Sequence, residues 1–333
     1  MINKLTFPPL PATSPAAAKQ VPVLPVIDVS KRLPQVSTAT PEAAPPPIPV
    51  TSVSTQETNR KRDKGTSLRA MTFNVRWDDE ELQEEKHAWK QRKERVVRTI
   101  GLHKPDLIGL QEPFTHQLTD LISALPDYEC YRGIGLPCEN QQRAYNPIFY
   151  RKERFELFQS GFFFLSQTPN QPSLGWTASI PRSVSWVYLK DRYTNKEFFF
   201  FNTHFDYLSK LARDESARLL RQKIGEIAGK KPFLVAGDFN IFPDIGGEET
   251  LYLLTEAEEL GMPLLDAQKI SETPHSGPTG SWSGFKEAGE PGIKPDFLFV
   301  GPQVIVLTHA ILSDTFEGEF ASDHLPVMVD VSL

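Results

Sequence analysis

Cysteine is scarce in this chain. Cys130 and Cys138 are the only two among 333 residues, which excludes a disulfide scaffold and a cysteine-built zinc site. One bridge could close the loop between them; we adopt the reading of two reduced thiols in a reducing compartment. Long apolar runs are missing as well, none approaching the roughly 18 residues of a membrane-spanning helix. Near the start, Pro8, Pro9, Pro11 and Pro15 interrupt the apolar stretch, so no Sec-type signal peptide is expected. The expected location is the cytoplasm, or outside it by a non-classical route through the N-terminal segment. Excess positive charge is lacking too. With 36 Lys and Arg against 42 Asp and Glu, the net charge is −6. Residues 1–66 hold eight basic and four acidic residues, which leaves −10 for the remainder. A domain that acidic lacks the basic footprint of a sequence-independent duplex binder.

What is present divides the chain in two. Twelve of the 29 prolines and a single phenylalanine fall in residues 1–66. This Pro-, Ala-, Ser- and Thr-rich stretch, with polyproline character around Pro45-Pro46-Pro47-Ile48-Pro49, predicts a disordered arm, because it cannot bury enough apolar surface to offset its ordering entropy. A tether, an export signal, a ligand for a Pro-recognising partner and an inert extension are all compatible with it. The basic cluster Arg60-Lys61-Arg62-Asp63-Lys64 reads as a linker. Residues 67–333 then read as one folded domain, with a monomer as the default state.

Residues 68–76 alternate as a strand, and 84–102 predict a helix that buries Trp89, Val96, Val97 and Ile100 and stops before Pro105. A second helix is expected over 116–125, and 147–150 with 155–157 reads as a hairpin. Residues 182–189 and 197–203 read as adjacent antiparallel strands. The helix expected over 210–228 carries an inward stripe of Leu211, Leu219, Leu220, Ile224 and Ile227. Further strands are expected over 231–238, 279–285, 296–300, 304–312 and 327–331. Strands outnumber helices and several connections are hairpin-like, which predicts an α/β fold of two stacked mixed sheets with helices outside.

The chemistry sits where these strands stop. The apolar run Phe233-Leu234-Val235-Ala236 ends in Gly237-Asp238-Phe239-Asn240, and at least as simply as an Asx turn this delivers a carboxylate and a carboxamide able to hold and deprotonate one water. Three other apolar runs end alike, at Gln111-Glu112, at His204-Phe205-Asp206 and at Asp323-His324. With Asn74 and Asp296 the set is rich in oxygen and free of cysteine, which suits a hard cation such as Mg²⁺ or Mn²⁺. Glu112 is the first candidate ligand, with Asn74 and Asp323 beside it. His324, oriented by Asp296, can act as general base or electrostatic partner, and His204 can donate to a phosphate oxygen. Taken singly each residue has a structural explanation, from strand cap to core histidine. Jointly they do not, because unpaired carboxylates are rarely crowded together without a cation.

Six ordered segments carry a resemblance: Met71-Thr72-Phe73-Asn74-Val75-Arg76, Asp106 to Glu112, Asn202 to Asp206, Gly237 to Asn240, Pro295-Asp296-Phe297 and Ser322 to Pro326. They resemble the motifs of the endonuclease/exonuclease/phosphatase superfamily with the DNase I-like fold. Trp89, Arg92, residues 146–152 and Pro181-Arg182 are similar to its bacterial branch related to the carbon catabolite repression deadenylases. The resemblance implies a four-layer α/β sandwich and a Mg²⁺-dependent hydrolase of phosphate esters. It implies that Asn74 and Glu112 hold the metal with support from Asp323, that Asp238 and Asn240 position the attacking water, that His204 stabilises the phosphate and that Asp296 orients His324. Arg182 and Asp206 are the expected substrate contacts. Lys294-Pro295 stands where family members often have Arg and an aliphatic residue. A nuclease acting on single-stranded nucleic acid, a phosphatase of small sugar or inositol phosphates, a lipid phosphodiesterase and a non-catalytic binding module recruited through the arm remain in competition.

Overall fold

A computed structural model of the chain describes residues 67–78, 85–138, 142–242, 246–286 and 293–333. The arm expected over 1–66, its basic cluster and the helix start expected at Glu84 lie outside the described residues. In chain order the elements are β1 (Leu68–Asn74), α1 (Trp89–His103), β2 (Leu107–Gln111), α2 (Thr115–Ala124), β3 (Tyr128–Tyr131), β4 (Leu136–Pro137), β5 (Arg143–Ala144), β6 (Ile148–Arg151) and β7 (Phe155–Phe164). They continue with β8 (Ser183–Asp191), β9 (Glu197–His204), α3 (Lys210–Ala228), β10 (Phe233–Asp238), α4 (Gly247–Thr255), β11 (Leu265–Asp266) and α5 (Ala267–Ile270). The last are β12 (Asp296–Val300), β13 (Ile305–Ile311), β14 (Thr315–Phe316), β15 (Glu319–Phe320) and β16 (Val327–Ser332). Among the described residues, no helix is long and apolar enough to cross a membrane.

Two six-stranded mixed sheets result, ordered β13-β16-β1-β2-β6-β3 and β11-β12-β10-β9-β8-β7. Side chains alternate between strand faces, so each sheet feeds two apolar seams. Ala70, Leu107, Phe198, Phe200, Leu234 and Val329 fill the seam between the sheets. Met71, Phe73, Ile108 and Leu110 turn the other way, onto Trp89, Val96 and Ile100 of α1 and Leu118 and Leu121 of α2. On the opposite side Phe199, Phe201 and Val235 meet Leu220 and Ile224 of α3 and Leu253 of α4. Three seams separate four layers, which is the expected sandwich. The run Phe198 to Phe201 is wholly buried because two rings serve each seam.

Three local expectations are corrected. Residues 147–150 and 155–157 are not a hairpin: β6 pairs with β2 and β3 in one sheet, and β7 pairs with β8 in the other. The chain crosses between sheets at 152–154, where buried Arg154 reaches Asp106 at 3.0 Å and Asp191 at 2.8 Å. Residues 279–285 form turns with one isolated bridge, Trp282 to His324, instead of a ladder strand. In α3, Leu220 and Ile224 are buried and Leu219 and Ile227 pack against the same seam as expected, but Leu211 is 50 % exposed, its place on the inner face taken by Ala212, Ser216 and Ala217.

Candidate active site

One rim of the sandwich collects the ends of its central strands. Parallel β1 and β2 finish side by side at Asn74 and Gln111, with Glu112 next. Parallel β9 and β10 finish in register at His204 and Asp238, and Asp296, the first residue of antiparallel β12, stands opposite Asp238. His324 lies just before β16, which runs antiparallel to β1. Beneath the rim the sheets approach closely. Gln111 Nε2 donates to Asn202 Oδ1 at 2.7 Å, and Asn202 Nδ2 donates to the carbonyls of Leu110 and Pro147. A Cβ on Gly109 would sit 2.7 Å from Asn202 Oδ1, so glycine is what permits the approach.

The backbone turns sharply as it leaves three of these strands. Arg76, Glu112 and Asn240 have φ of 56°, 73° and 50°, costly for residues with a Cβ and frequent at functional sites. Asn74 Nδ2 donates to both Glu112 Oε1 and Asp238 Oδ2 at 2.9 Å, and the Trp77 N–H donates to Glu112 Oε2 at 2.9 Å. Asn240 donates its N–H to Asp238 Oδ1 at 3.0 Å, so the Asx turn and the site are the same feature. Its Nδ2 faces His204 Nε2 at 3.1 Å, and His204 Nε2 lies 3.4 Å from Asp238 Oδ2. His324 points Nε2 at Asp238 Oδ2, 3.7 Å away, and Nδ1 at Asp296 Oδ2, 2.8 Å away. Ser281 Oγ donates to that same Asp296 oxygen at 2.7 Å, while Asp296 Oδ1 has no partner.

Burial makes these groups strongly interdependent. Burial, then the charges of Arg182, His324 and Arg76, hold the His204 pKa well below the ordinary imidazole value, so it presents a neutral ring. Burial and the neighbouring Asp296 push Asp238 up to about 7 against the pull of His324, Asn74 and Asn240. Burial opposes charge on His324, but Asp296 and Asp238 outweigh it and raise its pKa to about 10. Ligand atoms of Glu112, His204 and Asp238 lie within 4.8 Å of one another, as do those of Asp238, Asp296 and His324. Two carboxylates and a neutral imidazole fit one hard divalent cation, while Asn74 turns Nδ2 to the carboxylates and accepts from the Arg76 N–H on Oδ1 at 2.9 Å.

The expected residues do not all converge equally. Asp323 turns aside: its Oδ2 lies 3.7 Å from Arg76 Nε and its Oδ1 accepts from Ser322 Oγ. Asp206 accepts from the N–H groups of Ser179, Leu208 and Ser209 and from Ser179 Oγ. It thus braces a loop, and those bonds hold its pKa below the usual range although burial works the other way. Arg182 is buried and lines the site. The hollow above the cluster holds about 380 Å³ and is walled by Arg76, Trp77, Arg182, Tyr207, Phe242 and Trp282. Arg76, Trp77, Tyr207, Phe242 and Ser281 escaped the sequence reading; only Arg76 carried a signal, lying two residues beyond Asn74. Trp282 stands edge-on to His324 at 4.9 Å, whereas Trp176 lines a separate groove beside α3. Arg151 packs over Tyr128 and faces Asp106 at the far end of β2, away from this site. Lys294 lies between Asp266 and Gln268, and Asp296 keeps its bond to His324 despite the Lys294-Pro295 departure.

Comparison with known proteins identifies the family and the fold. The model of the endonuclease/exonuclease/phosphatase family matches residues 71–324. The structure of an endonuclease/exonuclease/phosphatase from Bacteroides vulgatus superposes with a TM-score of 0.72 at 34 % identity, covering 80 % of this chain and 99 % of that one. A mannosyl-6-phosphatase from Bacteroides thetaiotaomicron does so with 0.71 at 31 % identity, covering 80 % and 100 %. Nocturnin of Drosophila melanogaster is 24 % identical over 288 residues, 75 % of this chain. The chain spans 43 % of the length of that relative and 60 % of the length of another, the uncharacterized protein L388 of Acanthamoeba polyphaga mimivirus. From Met71 in the first motif to His324 in the last, this chain belongs to the endonuclease/exonuclease/phosphatase family, whose members are phosphoester hydrolases.

Proposed function

We propose that residues 67–333 form a Mg²⁺-dependent hydrolase of small phosphorylated sugars or similar compact phosphate esters. The observation that carries the reading is the convergence of Glu112, His204 and Asp238 within 4.8 Å at the floor of one hollow. Family members generally depend on a divalent metal, and Glu112 with Asp238, His204 and Asn74 would hold it. There it would supply charge to neutralise the phosphate and stabilise the transition state. Asp238 and Asn240 hold the attacking water, whose oxygen bonds to phosphorus as the ester P–O bond breaks. The Asp238–His324 pair takes up the proton that the water releases and returns one to the departing oxygen, so that ester and water become alcohol and phosphate. Asp296 and Ser281 keep the His324 ring aimed, and Arg182 binds phosphate oxygens.

A compact substrate is favoured over a polynucleotide on two grounds. The folded portion carries the chain's acidic excess, and Arg151 faces away from the site. The mannosyl-6-phosphatase is 31 % identical to this chain with a TM-score of 0.71, whereas the human Nocturnin catalytic domain is 19 % identical with a TM-score of 0.59. The test is turnover of hexose phosphates, inositol phosphates, single-stranded RNA and DNA and sphingomyelin, with and without Mg²⁺. The expected result is Mg²⁺-dependent release of phosphate from a sugar phosphate, lost in Asp238→Ala and His324→Ala. Hydrolysis that survives both substitutions would exclude the mechanism.

A further inference from the structure

Two guanidinium groups line the hollow, and among the described residues neither has a carboxylate within hydrogen-bond reach. Arg182 is 6 % exposed, yet its Nε has no hydrogen-bond partner. The nearest carboxylate oxygen, on Asp206, is 4.0 Å away and already accepts two bonds from Ser179. Arg76 Nε lies 3.7 Å from Asp323 Oδ2, outside hydrogen-bond reach. Each guanidinium is backed by an aromatic wall residue: Arg76 stands 4.8 Å from the Trp77 ring centre, and Arg182 stands 5.9 Å from that of Tyr207. Arg213, buried under α3, donates Nη1 to the Asp206 carbonyl, and three other buried arginines are bonded more fully. Arg92 donates to the carbonyls of His87, Val75, Ala321 and Arg76, Arg154 to two carboxylates, and Arg221 to three carbonyls. Leaving a buried donor without an acceptor is costly, so the Arg182 orphan marks a place where something else supplies the acceptor.

We propose that Arg76 and Arg182 form a clamp for the dianionic phosphate of a monoester and that this pair makes the site prefer monoesters to diesters. The inference rests on hydrolysis at the Glu112–His204–Asp238 cluster and adds the charge and oxygen count of the substrate. A terminal phosphate has three non-bridging oxygens and, with a second pKa near 6, almost two negative charges at neutral pH. One oxygen can face the cluster while each guanidinium takes another. A diester has only two such oxygens and one charge, so one guanidinium would lack a phosphate oxygen to bond. The aromatic backing fixes both guanidiniums before substrate arrives, which limits the entropy lost on binding. Asp323 then serves as the counter-charge of Arg76.

The test compares kcat/KM for p-nitrophenyl phosphate and bis(p-nitrophenyl) phosphate in the Mg²⁺-loaded full chain, in wild type, Arg76→Met, Arg76→Lys and Arg182→Met. Each Met variant is expected to lower the monoester-to-diester ratio by about tenfold or more, the usual worth of a hydrogen bond to a charged group, with partial rescue by Arg76→Lys. A ratio unchanged within twofold in Arg76→Met, whose side chain is partly exposed and tolerant of change, would overturn the clamp even if Arg182→Met fails to fold. Should neither ester turn over with any divalent cation, the hydrolase reading falls. The clamp is then read from calorimetric binding of inorganic phosphate: weaker binding in Arg76→Met supports it, and equal affinity in wild type and variant overturns it.

Discussion

The two ends of the sandwich bury similar residues to opposite effect. At one end Arg154 reaches Asp106 and Asp191 at 3.0 and 2.8 Å, and Asp191 also accepts from the N–H of Tyr193. Arg69 and Asp330 form a second two-bond pair on the neighbouring strands. Donors and acceptors there match, and the charges close the place where the chain crosses from one sheet to the other. At the other end Glu112, Asp238 and Asp296 gather around two histidines, with Asp296 Oδ1 and Arg182 Nε unpartnered among the described residues. A buried ion pair that satisfies itself holds structure in place; a buried set that does not is waiting for ligands.

That contrast breaks most visibly on activity. Asp238→Asn is expected to lower kcat by about 10²–10⁴-fold, the usual weight of a general acid–base group, while the urea midpoint of the metal-free protein holds or rises, because one crowded carboxylate is gone. A large loss of stability in this variant would place Asp238 with the structural pairs. Arg154→Met is the mirror experiment. It strands Asp106 and Asp191 in the interior and is expected to cost about 3–5 kcal/mol in urea unfolding, with kcat of the folded fraction near wild type. Unchanged stability would remove the distinction between the two ends.

The site was legible in sequence for the same reason that it is chemically unusual. Apolar alternation that stops at Glu112, His204, Asp238 and His324 leaves charges where a strand has no solvent face to put them on. The four-layer fold followed from strands interleaved with amphipathic helices. Hidden from the sequence was whatever depends on pairing between distant segments. Nothing local says that Phe155 opens a strand of the second sheet instead of returning beside Tyr150; the crossing is tied by Arg154, whose partners lie 48 and 37 residues away. Ser281 and Trp282 were read as strand residues because alternation cannot distinguish a ladder strand from a turn bonded to Asp296 and His324. Nor does the sequence say that Asp323, expected on the metal side, lies 3.7 Å from Arg76.

The smallest expected effect lies outside both charged ends. Leu211→Lys on α3 should change stability by less than about 0.5 kcal/mol, since the residue is half exposed. Leu220→Ala, in the seam behind β9 and β10, should cost about 2–5 kcal/mol. Equal losses from the two would return Leu211 to the inner face of α3.

The central claim is that the unsatisfied end binds one hard cation through Glu112 and its neighbours. Calorimetric titration of Mg²⁺, and of Mn²⁺ as a tighter probe, into metal-stripped wild type and Glu112→Gln tests it directly. The account predicts one cation per chain in wild type and a loss of at least about tenfold in affinity in Glu112→Gln. Equal binding by the two proteins, or no binding to wild type at millimolar metal, would contradict it.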